Sequence, residues 1–454
     1  MIEVMDKGGG IGYDIPHLYK DRLQAEGGLG ISLTMKADLL VKTRDLIRAS
    51  EVHTKQDSLP IHKIKQQSSN EKENKKRSFH SGEPHLVGGG LRNMGNTCFL
   101  NATLQSITHT VPLFQKLRCT DHSTPCSYDE DGFCSFCALK EHTEESIQRP
   151  GSVLMPTRFI DNLSKLNPGF IQGQQEDAHE FLRYLLDNLH KCTLDNTFDE
   201  KSIVKQVFEG RLKSQLTCHD CGHCPEILEP FLDLSLEIDQ VDNLVAALES
   251  FTKVEQIGDA QNKLTCDSCN AEVCKDKRFV IDKAPDVVAF HLKRFATLDG
   301  SIDKIDKHVA YPSELDLKPF HSNPDKEGLK YDLYALVEHS GLPNFGHYVC
   351  TIRSSPTNWH LMNDSLVHSI SETSALGQEA YILFYVRQGS FPWFSNIQEE
   401  AKLKKAKAAA ASKSLKSFLQ DQISSQLMKG MMTPRKKCFV KELDSLGQNA
   451  SFGY

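Results

Sequence analysis

The sequence predicts an α+β fold, because helical periodicity dominates the first half of its patterned region and strand-like runs dominate the second. Beyond Cys98, the residues Leu100, Leu104, Ile107 and Val111 recur at helical spacing, which predicts a helix with one buried face. Ala178, Phe181, Leu182, Leu185, Leu186 and Leu189 follow the i, i+3, i+4, i+7 template of an amphipathic helix. After residue 200 the pattern changes to runs rich in β-branched and aromatic residues. These are VVAFHLKRF (287–295, with Val288, Phe290 and Leu292 on one side), YDLYALVEH (331–339), HYVCTIR (347–353) and YILFYV (381–386). Helices first and strands afterwards argue against alternating βαβ units.

Taken in order, residues 1–85 are polar and without sustained period, so they read as a mostly disordered extension, with one short apolar stretch (Leu39, Leu40, Leu46, Ile47) that suits a helix. The N-terminus, MIEVMDKGGG, lacks the basic start and apolar core of a secretory signal, and no run of eighteen apolar residues suggests a membrane span. Residues 86–387 carry the pattern of one large catalytic-sized domain. They hold 28 basic against 43 acidic residues, a balance of −15, which disfavours nucleic acid and suits a basic protein partner. Residues 388–454 are basic by six charges and rich in Ala and Lys, so they read as a partly helical or disordered tail. Its PRKK run (434–437) is too short to identify a nuclear-targeting element. The fourteen cysteines, several in C-x-x-C pairs, suit a reducing compartment in which thiols serve zinc or catalysis.

The first chemical constellation is GLRNMGNTCFLNATLQ (90–105). Cys98 opens a helix there, and the partial positive charge of a helix N-terminus favours the thiolate, the nucleophilic form. A cysteine in an apolar setting is ordinarily inert core, so the reading requires a base. HSGLPNFGHYVCTIRSSPTNWHLMNDS (339–365) offers His347, after Gly346 and at the start of a strand that would fix its ring. Asn363 or Asp364, past the next turn, can accept the other imidazole N–H and set the tautomer. In GQQEDAHEFL (173–182), Asp177 caps a helix and Glu180 favours its N-terminal dipole.

Two metal sites are expected. LTCHDC (216–221) and LTCDSC (264–269) are paired knuckles whose Cys218, Cys221, Cys266 and Cys269 match a closed structural zinc site, with Cys224 and Cys274 as bystanders. DHSTPCSYDEDGFCSFC (121–137) offers His122, Cys126, Cys134 and Cys137 for a second structural zinc, with Cys119 and His142 as alternates. Cys192 and Cys350 read as structural thiols.

The Cys98 block, the GQQEDAHEFL segment and the HSG…GHYV…W…ND block, in this order, resemble the signatures of the ubiquitin-specific protease family over roughly residues 86–387. The resemblance implies a papain-like cysteine protease domain with a helical thumb, and a palm and fingers of antiparallel strands, zinc being held at the fingertips. It implies a deubiquitinating thiol protease, needing no catalytic cofactor, that hydrolyses isopeptide and peptide bonds after the C-terminal glycine of ubiquitin. Cys98 then matches the nucleophile, His347 the base, Asn363 the orienting residue with Asp364 beside it, and Asn93 the oxyanion donor. Gln174 matches a position next to the active site, Asp177 matches one that receives the basic ubiquitin tail, Glu180 counts as a further ubiquitin contact, and His339 matches one lining the tail's path. The expected partners are ubiquitin and ubiquitinated proteins, met by a monomer in the nucleus or cytoplasm without nucleic acid or membrane. Two alternatives are a catalytically weak ubiquitin-binding module and a protease for another ubiquitin-like modifier.

Overall fold

The computed structural model describes residues 87–428, apart from 121, 123–125, 127–131, 195–201, 260–261, 299–300, 324 and 344. The N-terminal extension with its short apolar stretch and the PRKK run lie outside the described residues.

Helices come first, as the periodicity implies. The helix Cys98–Thr108 packs against the helix Ala178–Cys192 and the strand Phe345–Ser355. It differs from the one-faced helix expected, since all of its residues are buried. Its polar residues are satisfied locally: Thr103 Oγ1 donates to Phe99 O and Gln105 Nε2 donates to Gly89 O. Hydrogen bonds of this kind remove most of the penalty of burying a polar side chain. Val111 is not part of this helix. It opens a second one, Val111–Cys119, whose start is marked by Pro112, a residue that favours the first helical turn. A further helix, Ser135–Gln148, lies in the stretch read only as a metal-binding insertion.

The strands form a large eight-stranded sheet and a smaller four-stranded one. In the large sheet the order is Leu366–Ile370, Asn358–Asn363, Phe345–Ser355, Lys330–Leu342, Ala380–Arg387, Val287–Leu292, Leu234–Leu236, with Glu314–Asp316 paired to Lys330–Leu342. All pairings are antiparallel except that of Leu234–Leu236 with Val287–Leu292. Two cores lie against this sheet. In the strand Val287–Leu292, Val287 and Ala289 join the core containing the Cys98 helix, whereas Val288, Phe290 and Leu292 join the other. The period of two is therefore real, and both of its faces are buried. The smaller sheet, ordered Glu226–Phe231, Gly210–Cys218, Lys275–Lys283, Glu255–Ile257, carries one of the cysteine clusters at its end.

Candidate active site

Cys98 is the first residue of its helix and only 3% exposed. The loop before it turns through Gly95 (φ +106°) and Asn96 (φ +54°), backbone that glycine and asparagine tolerate best. This turn folds two amides, Gly95 N (3.0 Å) and Thr97 N (3.2 Å), onto Asn93 Oδ1. Asn93 Nδ2 in turn donates to Asp364 Oδ2 at 2.9 Å. With its oxygen fixed, Asn93 can orient its amide only one way, and one N–H remains for a ligand.

His347 lies across from this loop, on the strand Phe345–Ser355. Its Nε2 donates to Asn363 Oδ1 at 2.8 Å, and the ring also hydrogen-bonds Cys98. The hydrogen bond with Cys98 is the main reason the imidazole is pushed up to about 9. Partial burial opposes the shift, while Asn363 and the charges of Cys98 and Asp364 add to it. Asp364 itself is 4.0 Å from Nε2. It sits at φ +48° and accepts from two asparagine amides, Asn93 on one oxygen and Asn101 (2.8 Å) on the other. The choice left open between Asn363 and Asp364 thus divides by geometry: Asn363 touches the imidazole, and Asp364 holds Asn93.

A thiol, an imidazole, an amide that bonds the imidazole and a second, fixed amide are brought together here. Residues 89–385 match the family model described as ubiquitin carboxyl-terminal hydrolase. The chain belongs to that family. Ubiquitin carboxyl-terminal hydrolase 21 of Arabidopsis thaliana is 45% identical over 330 residues, which is 70% of this chain and 44% of the relative. Ubiquitin carboxyl-terminal hydrolase 42 of Homo sapiens is 40% identical over 312 residues, 67% of this chain and 23% of the relative. Among solved structures, the SAGA Ubp8/Sgf11/Sus1/Sgf73 DUB module bound to ubiquitin aldehyde is 32% identical with a TM-score of 0.59, covering 66% of this chain and 69% of that one. The chain spans just under half the length of the Arabidopsis relative.

In this family member the large sheet is the palm, the four-stranded sheet the fingers, and the helices around Cys98 the thumb. One residue that the sequence pattern missed links thumb to palm. Gln175 Nε2 donates to Gly346 O (2.7 Å) and its Oε1 accepts from Gly346 N (3.2 Å), while Gln174, the residue singled out, is exposed. Two adjacent glutamines are identical in type, and only the loop's path decides which one bonds Gly346. Asp177 does cap its helix, accepting from Glu180 N through Oδ1. Its Oδ2 takes the hydroxyls of Tyr381 (2.7 Å) and Tyr348 (3.2 Å). His339 is buried, with its ring 4.5 Å from Tyr348, and burial lowers its pKa to about 4. A Cβ on Gly346 would stand 1.9 Å from His339 Nε2, which is why glycine is required there. Glu180 lies on the same helix, with Asn167 Nδ2 3.4 Å from its Oε1.

Both groups of metal-ligand residues assemble, and the donor atoms within each lie within 4.8 Å of one another. In the finger cluster, Cys218 and Cys269 are 4.0 Å apart at sulfur, and Cys221 and Cys266 are 3.7 Å apart. A tetrahedron with zinc–sulfur bonds of about 2.3 Å has edges of about 3.8 Å, so these thiols fit zinc. The second cluster joins His122, Cys126, Cys134 and Cys137, with His122 Nε2 3.0 Å from Cys126 Sγ and 3.4 Å from Cys134 Sγ. Cys192, read as a structural thiol, closes the Asp177 helix and hydrogen-bonds Cys134. Neither Cys119 nor His142 joins the group; the His142 ring packs edge-on to Phe159.

Proposed function

We propose that this chain is a thiol protease that hydrolyses the bond following the C-terminal glycine of ubiquitin, acting on isopeptide-linked and peptide-linked conjugates. The observation that carries the reading is the line from Cys98 through His347 to Asn363, with Asn93 fixed beside it by Asp364. The Cys98 sulfur attacks the glycine carbonyl carbon, and the carbonyl oxygen gains negative charge beside the Asn93 amide. A donor so placed contributes about 3 kcal/mol to the transition state. His347 then gives its proton to the departing amine as the carbon–nitrogen bond breaks, leaving a thioester. Water, deprotonated by His347, hydrolyses that thioester and releases Cys98.

The approach of ubiquitin's tail fits the other side of the cleft. Gln175 and Gly346 form its narrow wall, and a glycine-ended tail is what such a slot admits. Asp177 and Glu180, with His339 below Gly346, offer the tail's basic residues a negative end, and Gln174 lies exposed beside the entry. Two structural zinc ions, one at the fingertips and one at the His122 cluster, hold loops that have little apolar core of their own. The thirteen described cysteines are all free, which supports work in a reducing compartment, the nucleus or cytoplasm. No described helix is long and apolar enough to cross a membrane.

The test is ubiquitin carrying a fluorogenic C-terminal amide, incubated with the parent chain and with Cys98→Ala. Release by the parent alone is expected. Equal release by both would remove Cys98 as the nucleophile, and tight ubiquitin binding without release by either would make the chain a binding module.

A further inference from the structure

A further thiol lies beside the His122 group. Cys192 is the last residue of the helix Ala178–Cys192, which packs against the helix Ser135–Gln148. Its half-buried side chain rests on the core that contains Cys126, Cys134 and Phe136. It hydrogen-bonds the Cys134 sulfur, and its own sulfur accepts the backbone N–H groups of Ser135 and Phe136. Those are the first two amides of the helix Ser135–Gln148, where the helix carries partial positive charge.

These surroundings are those of a metal ligand. Zinc-bound sulfurs are held in place by outer donors, whereas an inert core cysteine has apolar neighbours and no fixed donors. A tetrahedral zinc is filled by His122, Cys126, Cys134 and Cys137, whose donor atoms all lie within 4.8 Å of one another. Cys192 stands just outside that set. When Cys134 binds zinc as a thiolate, the proton of its bond with Cys192 belongs to Cys192. His122 is the single neutral donor among the four, and its Nε2 lies 3.4 Å from the Cys134 sulfur that Cys192 also touches. Both groups therefore flank one ligand. A turn of the Cys192 side chain about its Cα–Cβ bond is the movement that brings its sulfur onto the ion.

We propose that Cys192 is an exchangeable fifth donor of the second zinc site, an inference that rests on reading the His122 group as a zinc site. With His122 in place, Cys192 donates its S–H to the Cys134 thiolate. When the zinc–nitrogen bond of His122 breaks, a zinc–sulfur bond to Cys192 forms. The Cys192 proton passes to the freed imidazole, so charge is conserved. The ion then has four sulfur ligands and is joined directly to the helix whose N-cap is Asp177.

The experiment counts zinc in the full chain, then loads the same proteins with cobalt, on which each thiolate ligand adds to the charge-transfer absorbance. The parent should hold two zinc ions, one in each group. His122→Ala should still hold two, and its cobalt form should show one more sulfur ligand than the parent. His122→Ala with Cys192→Ser should hold only the finger ion, because a serine hydroxyl is a poor zinc ligand. Cys192→Ala alone, which removes a donor to a ligand, should weaken the second ion about tenfold or more in competition with a chelator. A single zinc in His122→Ala, two in the double variant, or no added sulfur in the cobalt spectrum would each overturn the proposal. So would an unchanged chelator competition in Cys192→Ala, a readout that stands even where His122→Ala does not fold. One zinc in the parent chain would refute the second zinc site itself, before any variant is compared.

Discussion

At the scale of single residues, the proposed role of His347 predicts the pH range of the reaction. Its pKa is raised from 6.5 to about 9, first by the bond to Cys98, with Asn363 and the Asp364 charge also favouring the imidazolium. A group raised in this way contributes stability below its unfolded value, and that contribution is lost as pH rises through about 9. The same titration removes the proton meant for the leaving amine, so kcat/KM on the fluorogenic substrate should decline above that pH. Asn363→Ala removes one of the interactions favouring the imidazolium and should move this alkaline limb to lower pH. An unmoved limb would mean that Asn363 does not orient the ring. Gly346→Ala is the steric counterpart. Its Cβ would overlap the buried His339 ring, so overpacking should cost about 1–3 kcal/mol and narrow the tail's slot. A Gly346→Ala chain with unchanged melting temperature and KM would show that the slot yields. Of these residues, Cys98 and His347 stood out by residue type and position, whereas Asn363 was preferred to Asp364 only through the family resemblance. Asn101 was not legible, although it lies three residues beyond Cys98 and holds Asp364, because a buried helical asparagine looks the same whether it bonds a carboxylate or its own backbone.

At the scale of elements, the helix Ala178–Cys192 connects the most functions. Its N-cap, Asp177, serves the helix through one oxygen and two tyrosine hydroxyls through the other, and its last residue, Cys192, touches the His122 cluster. Capping and tail recognition by Asp177 therefore need different substitutions to separate them. Asp177→Ala loses a cap worth about 1 kcal/mol and leaves tyrosine hydroxyls unpaired. Asp177→Asn keeps an oxygen for the cap, removes the charge and turns an NH2 group towards the two tyrosine hydroxyls, which must then reorient to accept from it. If Asp177 attracts the basic tail, Asp177→Asn should raise KM for the ubiquitin substrate several-fold with a smaller loss of melting temperature than Asp177→Ala. A KM equal to the parent's would reduce Asp177 to a structural cap. The knuckles show the same division between pattern and path. Paired C-x-x-C spacing revealed the finger group, and an H-x3-C followed by one C-x-x-C revealed the second, because such motifs are local in sequence. The bond between Cys192 and Cys134 spans 58 positions and has no local signature. The long, β-branched palm strands were legible for their periodicity. The buried faces of the Cys98 helix were not, since its polar residues Thr103, Gln105 and Ser106 imitate a solvent face while bonding inward.

At the scale of the molecule, the family match ends at residue 385, but the core does not. The helix Phe394–Met428 reads in sequence as an appendage, being rich in Ala and Lys, and beyond residue 401 its described side chains are exposed. Its first turn is different. Phe394 and Ile397 are buried with Val111, Phe114 and Ile147, and the Phe394 ring lies 4.2 Å from that of His109. His109 is the C-cap of the Cys98 helix and accepts from Gly88 N, on the segment that leads to Asn93. Arg353 stacks over both Trp359 and Trp393, and a cavity of about 160 Å³ lies among His109, Tyr334, Arg353 and Trp393. The tail is thus fastened to the far end of the helix that begins at Cys98. Burial of Phe394 and Ile397 stabilises the domain by about 1.5–3 kcal/mol each, and the Trp393–Arg353 stack adds about 0.5–1 kcal/mol. A chain ending at residue 403 should therefore melt and turn over the fluorogenic substrate like the full chain. A chain ending at residue 388 should melt several degrees lower and lose activity as temperature rises, the His109 end of the Cys98 helix having lost its cover. Equal melting of the two truncations would show that the buried turn is an attachment to the catalytic domain and not part of its core.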